Sequence, residues 1–139
     1  MTGASCAIIT GNSIMIVSIG VDIVEIDRIA ERVAAVESRF RKRIFTAGEI
    51  AYCESRAAKA ASYAARFAAK EATMKALGTG WAAGVGWQDI EVVNDAAGAP
   101  SLKLIGRALE RFQAIGARRA FLSLSHSKDA AIAQVIFED

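Results

Sequence analysis

Residues 59 to 77, KAASYAARFAAKEATMKAL, run without a glycine or proline and are rich in alanine, the best helix former. A stretch of this length and composition predicts one long helix. Gly78 follows it directly and supplies the stop, because glycine accepts the left-handed conformation a helix end requires. Tyr63, Phe67, Met74 and Leu77 recur at helical spacing and read as the stripe that packs into a core. Before and after this helix the periodicity changes. MIVSIGVDIV, 15 to 24, is β-branched and apolar, the pattern of a buried strand whose run of apolar residues is stopped by Asp22. RRAFLSLSHS and DAAIAQVIFE alternate as two strands about a turn at Ser127 to Asp129.

The remaining segments fill in the order. Ile26, Ile29, Ala30 and Val33 keep helical spacing from about Glu25, and a short helical piece holds Phe40, Ile44 and Phe45. Thr46 and Glu49 have the form of a capping box, which predicts a helix from about 47 to 56. GTGWAAGVG, 78 to 86, is a glycine-rich loop. QDIEVVND reads as a strand, AAGAP as a turn, SLKLI as its hairpin partner, and GRALERFQAIG as a helix stopped at Gly116. The order β, helices, β, β, α, β, β predicts one α+β domain, a mainly antiparallel sheet with the long helix. Residues 1 to 14 have no clear periodicity and are expected to form an N-terminal extension to a domain spanning 15 to 139.

Composition narrows the function classes. With 139 residues, 53% hydrophobic and 23% charged, a packed core is expected. Seventeen basic against fifteen acidic residues is too small an excess to argue for a nucleic-acid partner. The longest apolar run, around Ile14 to Val24, is broken by Ser18, Gly20 and Asp22 and falls short of the ~20 residues a bilayer requires. Cys6 and Cys53 lack metal or redox spacing and read as free thiols in a reducing compartment, and the N-terminus lacks the basic region of a signal peptide.

Several residues could carry chemistry. Asp22 places a carboxylate at the end of an apolar strand, where it must be exposed, paired or metal-bound. From position alone, solvent or a cap on the next helix is the simpler role. Glu71 and Lys75 are four apart on one helix face, a pair ordinarily contributing about 0.2–0.5 kcal/mol. Arg66 and Lys70, also four apart, repel slightly. Three cations and one carboxylate beside a glycine-rich loop suit a polyanionic ligand with a metal. The glycines fit neither a dinucleotide fingerprint nor a P-loop, since they follow a helix instead of opening one. His126 is the only histidine, at a strand end, with surface, structural or phosphate-binding roles all open. Arg28, Arg32, Arg39, Arg41, Lys42 and Arg43 outnumber the acids around them, giving a solvated face or a surface for an acidic protein.

Taken in order, three segments resemble one family. Ile19-Gly-Val-Asp-Ile-Val-Glu-Ile-Asp-Arg28, then Arg66-Phe-Ala-Ala-Lys-Glu-Ala-Thr-Met-Lys-Ala-Leu-Gly-Thr-Gly80, then Leu122-Ser-Leu-Ser-His126 are similar to the holo-[acyl-carrier-protein] synthases. These are the short, stand-alone 4'-phosphopantetheinyl transferases, and the similarity runs from Met15 nearly to the C-terminus. The resemblance implies that fold, a homotrimer with coenzyme A bound between subunits, Mg²⁺ as cofactor and a cytoplasmic role in fatty acid biosynthesis. It implies transfer of phosphopantetheine from coenzyme A to apo-acyl carrier protein. By position, Asp22 and Glu71 would bind the metal and Lys75 the diphosphate. Arg66 and Lys70 would hold coenzyme A phosphates, Gly78, Thr79 and Gly80 would border the nucleotide, and His126 would reach it from the adjacent subunit. Arg28, Arg32 and Arg43 would dock the acidic carrier protein. Rival expectations are another Mg²⁺-dependent nucleotide or diphosphate transferase, and a non-catalytic module that binds an acidic protein through the basic helix alone.

Overall fold

The computed structural model describes residues 13–35, 37–79 and 84–139. Its elements follow the expected order: β1 (Ile16–Glu25), α1 (Ile26–Val33), α2 (Arg39–Ile44), α3 (Ala47–Glu54), α4 (Lys59–Leu77), β2 (Ile90–Asn94), β3 (Pro100–Leu104), α5 (Gly106–Ala114), β4 (Arg119–His126) and β5 (Ala130–Glu138). The strands form two antiparallel sheets instead of one. A three-stranded sheet runs β1-β5-β4, and β2 and β3 form a separate hairpin. The expected strand from Gln88 starts later, because Trp87–Asp89 form a 3₁₀ turn before β2. Of the expected extension at 1 to 14, only Ser13 and Ile14 are among the described residues.

Local chemistry explains the helix ends. Thr46 Oγ1 accepts from the Glu49 amide at 3.2 Å while Glu49 Oε1 accepts from the Thr46 amide at 3.0 Å, so both halves of the capping box form. Gly78 ends α4 at φ 73°, its amide reaching back to the Lys75 and Met74 carbonyls. Arg111 Nε on α5 donates to the Leu77 carbonyl at 3.0 Å, satisfying another acceptor of that last turn.

Helix α4 is the keel of the domain. It buries Tyr63, Met74 and Leu77 together with Ala64, Ala65, Ala68, Ala69, Ala72 and Ala76. From the sheet come Ala131, Ala133, Val135 and Phe137, the inward-facing residues of the central strand β5. Alanines on both sides let helix and sheet approach closely. The closest approach is at Gly20 on β1. A Cβ there would run into the Ala72 carbonyl oxygen and lie 2.9 Å from its carbon and 3.0 Å from the Ala76 amide nitrogen. Ser18 Oγ, on the same face, donates to the Ala76 carbonyl at 2.6 Å.

Among the described residues, no helix is long and apolar enough to cross a membrane. Gly20→Ala is expected to destabilise the fold by about 3 kcal/mol, because backbone, not a flexible side chain, blocks the methyl group. Urea unfolding measures this, and a midpoint like the parent's would contradict such tight helix–sheet contact.

Candidate active site

The Gly20 contact determines what sits beside it. Two residues further along β1, Asp22 again faces α4, one helical turn from where Ala72 touches the strand. There it meets Glu71 and Lys75. Lys75 Nζ lies 3.0 Å from Asp22 Oδ1 and also donates to the Val21 carbonyl at 3.0 Å. The other Asp22 oxygen, Oδ2, is buried without a hydrogen-bond partner among the described residues. Burial raises the affinity of Glu71 for a proton, and the Asp22 carboxylate adds to it, with Lys75 and Arg28 opposing. The pair expected between Glu71 and Lys75 is therefore replaced by one between Lys75 and Asp22.

Asp22 and Glu71 open onto a cleft of about 640 Å³. Arg28, Arg32, Arg39 and Arg43 form its basic wall, and Phe40, Phe67 and Trp87 its apolar one. Phe67 and Trp87 stack at 5.3 Å between ring centroids with their planes 22° apart. Arg32 lies 4.0 Å over the Phe40 ring, which aims that guanidinium across the cleft. Phe67, read from sequence as core packing alone, thus also lines the site. Its position four residues before Glu71, on the same face, was the available signal.

A second cleft of about 640 Å³ lies on another side of α4. Arg66, His126, Tyr52, Arg56 and Asn94 line it. The Arg66 guanidinium is held by a hydrogen bond to Asn94 Oδ1 and sits 4.0 Å over the Tyr52 ring. The charges from Arg66 to Lys75 are therefore divided: Glu71 opens on the first cleft, Arg66 on the second, and Lys75 is turned to Asp22. Helix geometry accounts for this, since five residues separate Arg66 from Glu71 by about 140° around the axis. His126 shares its cleft with Arg66 of its own chain.

Lys70 belongs to neither cleft, which corrects its expected role as a phosphate contact. Its side chain is fully buried 2.7 Å from Glu49 Oε1. It also donates to the Trp87 carbonyl at 3.0 Å and to the Ile90 carbonyl. Burial pulls its ammonium below the usual lysine range while Glu49 opposes that shift. Gly78 and Thr79 follow the end of α4 away from Asp22, and Gly80 lies outside the described residues.

Asp22 and Glu71 would give a metal only two carboxylates. Among the described residues no group of three or more histidine, cysteine or acidic side chains could hold an ion. Mg²⁺ takes one or two carboxylates and fills its remaining positions with water and ligand phosphates, so the donor set fits that ion. The orphaned buried Asp22 Oδ2 points the same way.

Comparison with known proteins shows the family. Residues 18–135 match the model of the 4'-phosphopantetheinyl transferase superfamily. The holo-[acyl-carrier-protein] synthase of Koribacter versatilis is 49% identical over 125 residues, 90% of this chain and 100% of the relative. That of Solibacter usitatus is 50% identical over the same length and coverage. Among solved structures, the Neisseria meningitidis holo-[acyl-carrier-protein] synthase superposes with a TM-score of 0.78 at 36% identity, covering 90% of this chain and 100% of that one. The Bacillus anthracis synthase in complex with CoA (3',5'-ADP) gives 0.73 at 38% identity, covering 90% and 98%. The chain belongs to the holo-[acyl-carrier-protein] synthase family of the 4'-phosphopantetheinyl transferase superfamily.

Proposed function

We propose that this chain transfers the 4'-phosphopantetheine group of coenzyme A to a serine of apo-acyl carrier protein, releasing adenosine 3',5'-bisphosphate, in fatty acid biosynthesis. The observation that carries it is the placement of Asp22 and Glu71 together at the head of an arginine-lined cleft. Phosphoryl transfer asks little covalent chemistry of a protein and a great deal of positioning and charge neutralisation. Asp22 and Glu71 would hold Mg²⁺, and the ion would supply charge neutralisation on the diphosphate. Lys75, exposed and held by Asp22 and the Val21 carbonyl, turns from Asp22 to the leaving phosphate. The serine oxygen forms a bond to the β-phosphorus, the bond from that phosphorus to the bridging oxygen breaks, and adenosine 3',5'-bisphosphate departs. The serine proton passes to Glu71, directly or through a water molecule. Arg28, Arg32 and Arg43 lie along the same cleft, so the acidic carrier protein docks where its serine reaches Glu71. A reducing, cytoplasmic setting suits Cys53, a free thiol that burial pushes up to about 12.

The second cleft supports a shared site. Arg66 and His126 fit the phosphates at the nucleotide end of coenzyme A, yet within one chain they lie across α4 from Glu71. One ligand reaches both clefts when the second belongs to a neighbouring copy. The outer face of the three-stranded sheet suits such an assembly. Ile19, Val21, Ile23, Phe121 and Ile132 are 60%, 52%, 67%, 50% and 40% exposed there, an apolar surface that monomers rarely leave open. A homotrimer closes it with each subunit giving one cleft to each neighbour.

Incubation with coenzyme A, Mg²⁺ and an apo-acyl carrier protein is expected to raise the carrier's mass by one phosphopantetheine. No mass increase with several apo-carriers refutes the transfer. Glu71→Gln and Asp22→Asn should each lower turnover by about 10²-fold or more with the fold intact by circular dichroism, the scale seen when one electrostatic stabiliser is removed. Full activity in both would refute the site. The shared-site arrangement makes a separate prediction. Asp22→Asn chains and His126→Ala chains, refolded together, should turn over coenzyme A well above either alone, because mixed assemblies contain intact composite sites. A mixture no better than the two separate variants would place both residues in the same site of one chain.

A further inference from the structure

Lys70 precedes Glu71 by one residue on α4 but points into the protein, away from either cleft. Its three N–H donors meet three acceptors: Glu49 Oε1 at 2.7 Å, the Trp87 carbonyl at 3.0 Å, and the Ile90 carbonyl. Glu49 is equally committed. Its Oε1 accepts from the Thr46 amide at 3.0 Å and its Oε2 from the Val92 amide at 2.9 Å. One ion pair therefore joins the start of α3, the middle of α4, the 3₁₀ turn and the first residues of β2. The turn matters because Trp87 opens it. The Trp87 ring lies on Phe67, and both rings line the cleft that holds Asp22 and Glu71. Phe67 and Glu71, four residues apart, share a face of α4, and Lys70 binds the backbone that brings Trp87 up against that face.

We propose that Lys70 is a positioning residue for the transfer: paired with Glu49, it holds the Trp87–Ile90 turn against α4 and so sets the wall of the cleft beside Glu71. The ammonium does this where an apolar side chain cannot, because two carbonyls and a carboxylate would otherwise be buried without a donor. The assignment of catalytic consequence rests on the transferase reading; the structural role does not. Buried ion pairs are often replaceable by apolar side chains without loss of the fold, while removing one partner alone is strongly destabilising. This separates the pair's positioning from its contribution to stability.

The test uses the Lys70→Met/Glu49→Met double variant in a Trp81→Phe background, which leaves Trp87 as the sole tryptophan. Acrylamide quenching of Trp87 is expected to rise severalfold in the folded double variant, since the turn loses its anchor. Turnover should fall about tenfold or more while the KM for coenzyme A stays within about twofold, the pattern of a misplaced wall and not of a lost phosphate contact. The single Lys70→Met variant should melt below the double, because Glu49 is left buried and unpaired. Unchanged quenching with unchanged turnover overturns the proposal. A large rise in the KM for coenzyme A with turnover retained also overturns it and returns Lys70 to phosphate binding. Should the double variant not fold, Lys70→Gln, whose amide keeps two donors, carries the same readouts. If the unsubstituted chain itself transfers nothing, the transferase reading fails on its own, and the quenching result still decides whether Lys70 anchors the turn.

Discussion

The contact of α4 with β1 at Gly20 is the constraint on which the site depends. A side chain at that position would meet the helix backbone, so strand and helix touch main chain to main chain. Everything near that point is then fixed by periodicity. The strand's period of two turns Ser18, Gly20 and Asp22 toward the helix, and the helix's period of 3.6 presents Glu71, Ala72, Lys75 and Ala76 to the strand. Two carboxylates that would repel in solution are held together by a hydrophobic layer whose stability does not depend on them. The repulsion is eased by Lys75 on one Asp22 oxygen, and the other has no partner among the described residues. A divalent cation is the chemical species that such an arrangement accommodates best.

Much of this architecture was readable in the residues themselves. The Thr46–Glu49 capping box and the Gly78 stop follow from local chemistry and form where the pattern places them, while the strand expected at 15 to 24 runs past Asp22 to Glu25 and is buried on one face only, because its apolar alternation also faces outward. The 3₁₀ turn at Trp87–Asp89 was not readable, because its cause is tertiary. Asp89 Oδ2 accepts from the Gly86 amide and Lys70 binds the Trp87 carbonyl, interactions that alternation in QDIEVVND cannot announce. The division of one helical row of charges between two clefts and a buried pair was likewise obscured by reading RFAAKEATMK as a single cluster. The helical angle between Arg66 and Glu71 contains the division, but which side meets Asp22 depends on the sheet.

Lys70 carries a related lesson. Sequence similarity carries a residue's identity across a family without saying which way the side chain points. A lysine beside a glutamate proposed as a metal ligand invites a phosphate role. Its actual partner, Glu49, lies 21 positions earlier in the helix whose start it also caps, and the pairing is complete without a ligand. The same Glu49 that signals a helix boundary in sequence is thus half of the buried ion pair in the fold.

Strand β1 presents two unlike surfaces from alternate residues. Ser18, Gly20 and Asp22 face the helix, and Ile19, Val21 and Ile23 face outward. These sets interleave one residue at a time, so they share one register against β5. A single inserted or deleted residue in β1 would exchange them, driving isoleucine and valine toward the Ala72 carbonyl and setting the carboxylate on the apolar outer face. Sequence drift in this strand is therefore confined to substitutions that preserve its phase. Length changes belong to the loops, where a shift of one residue does not turn the chemistry of the molecule inside out.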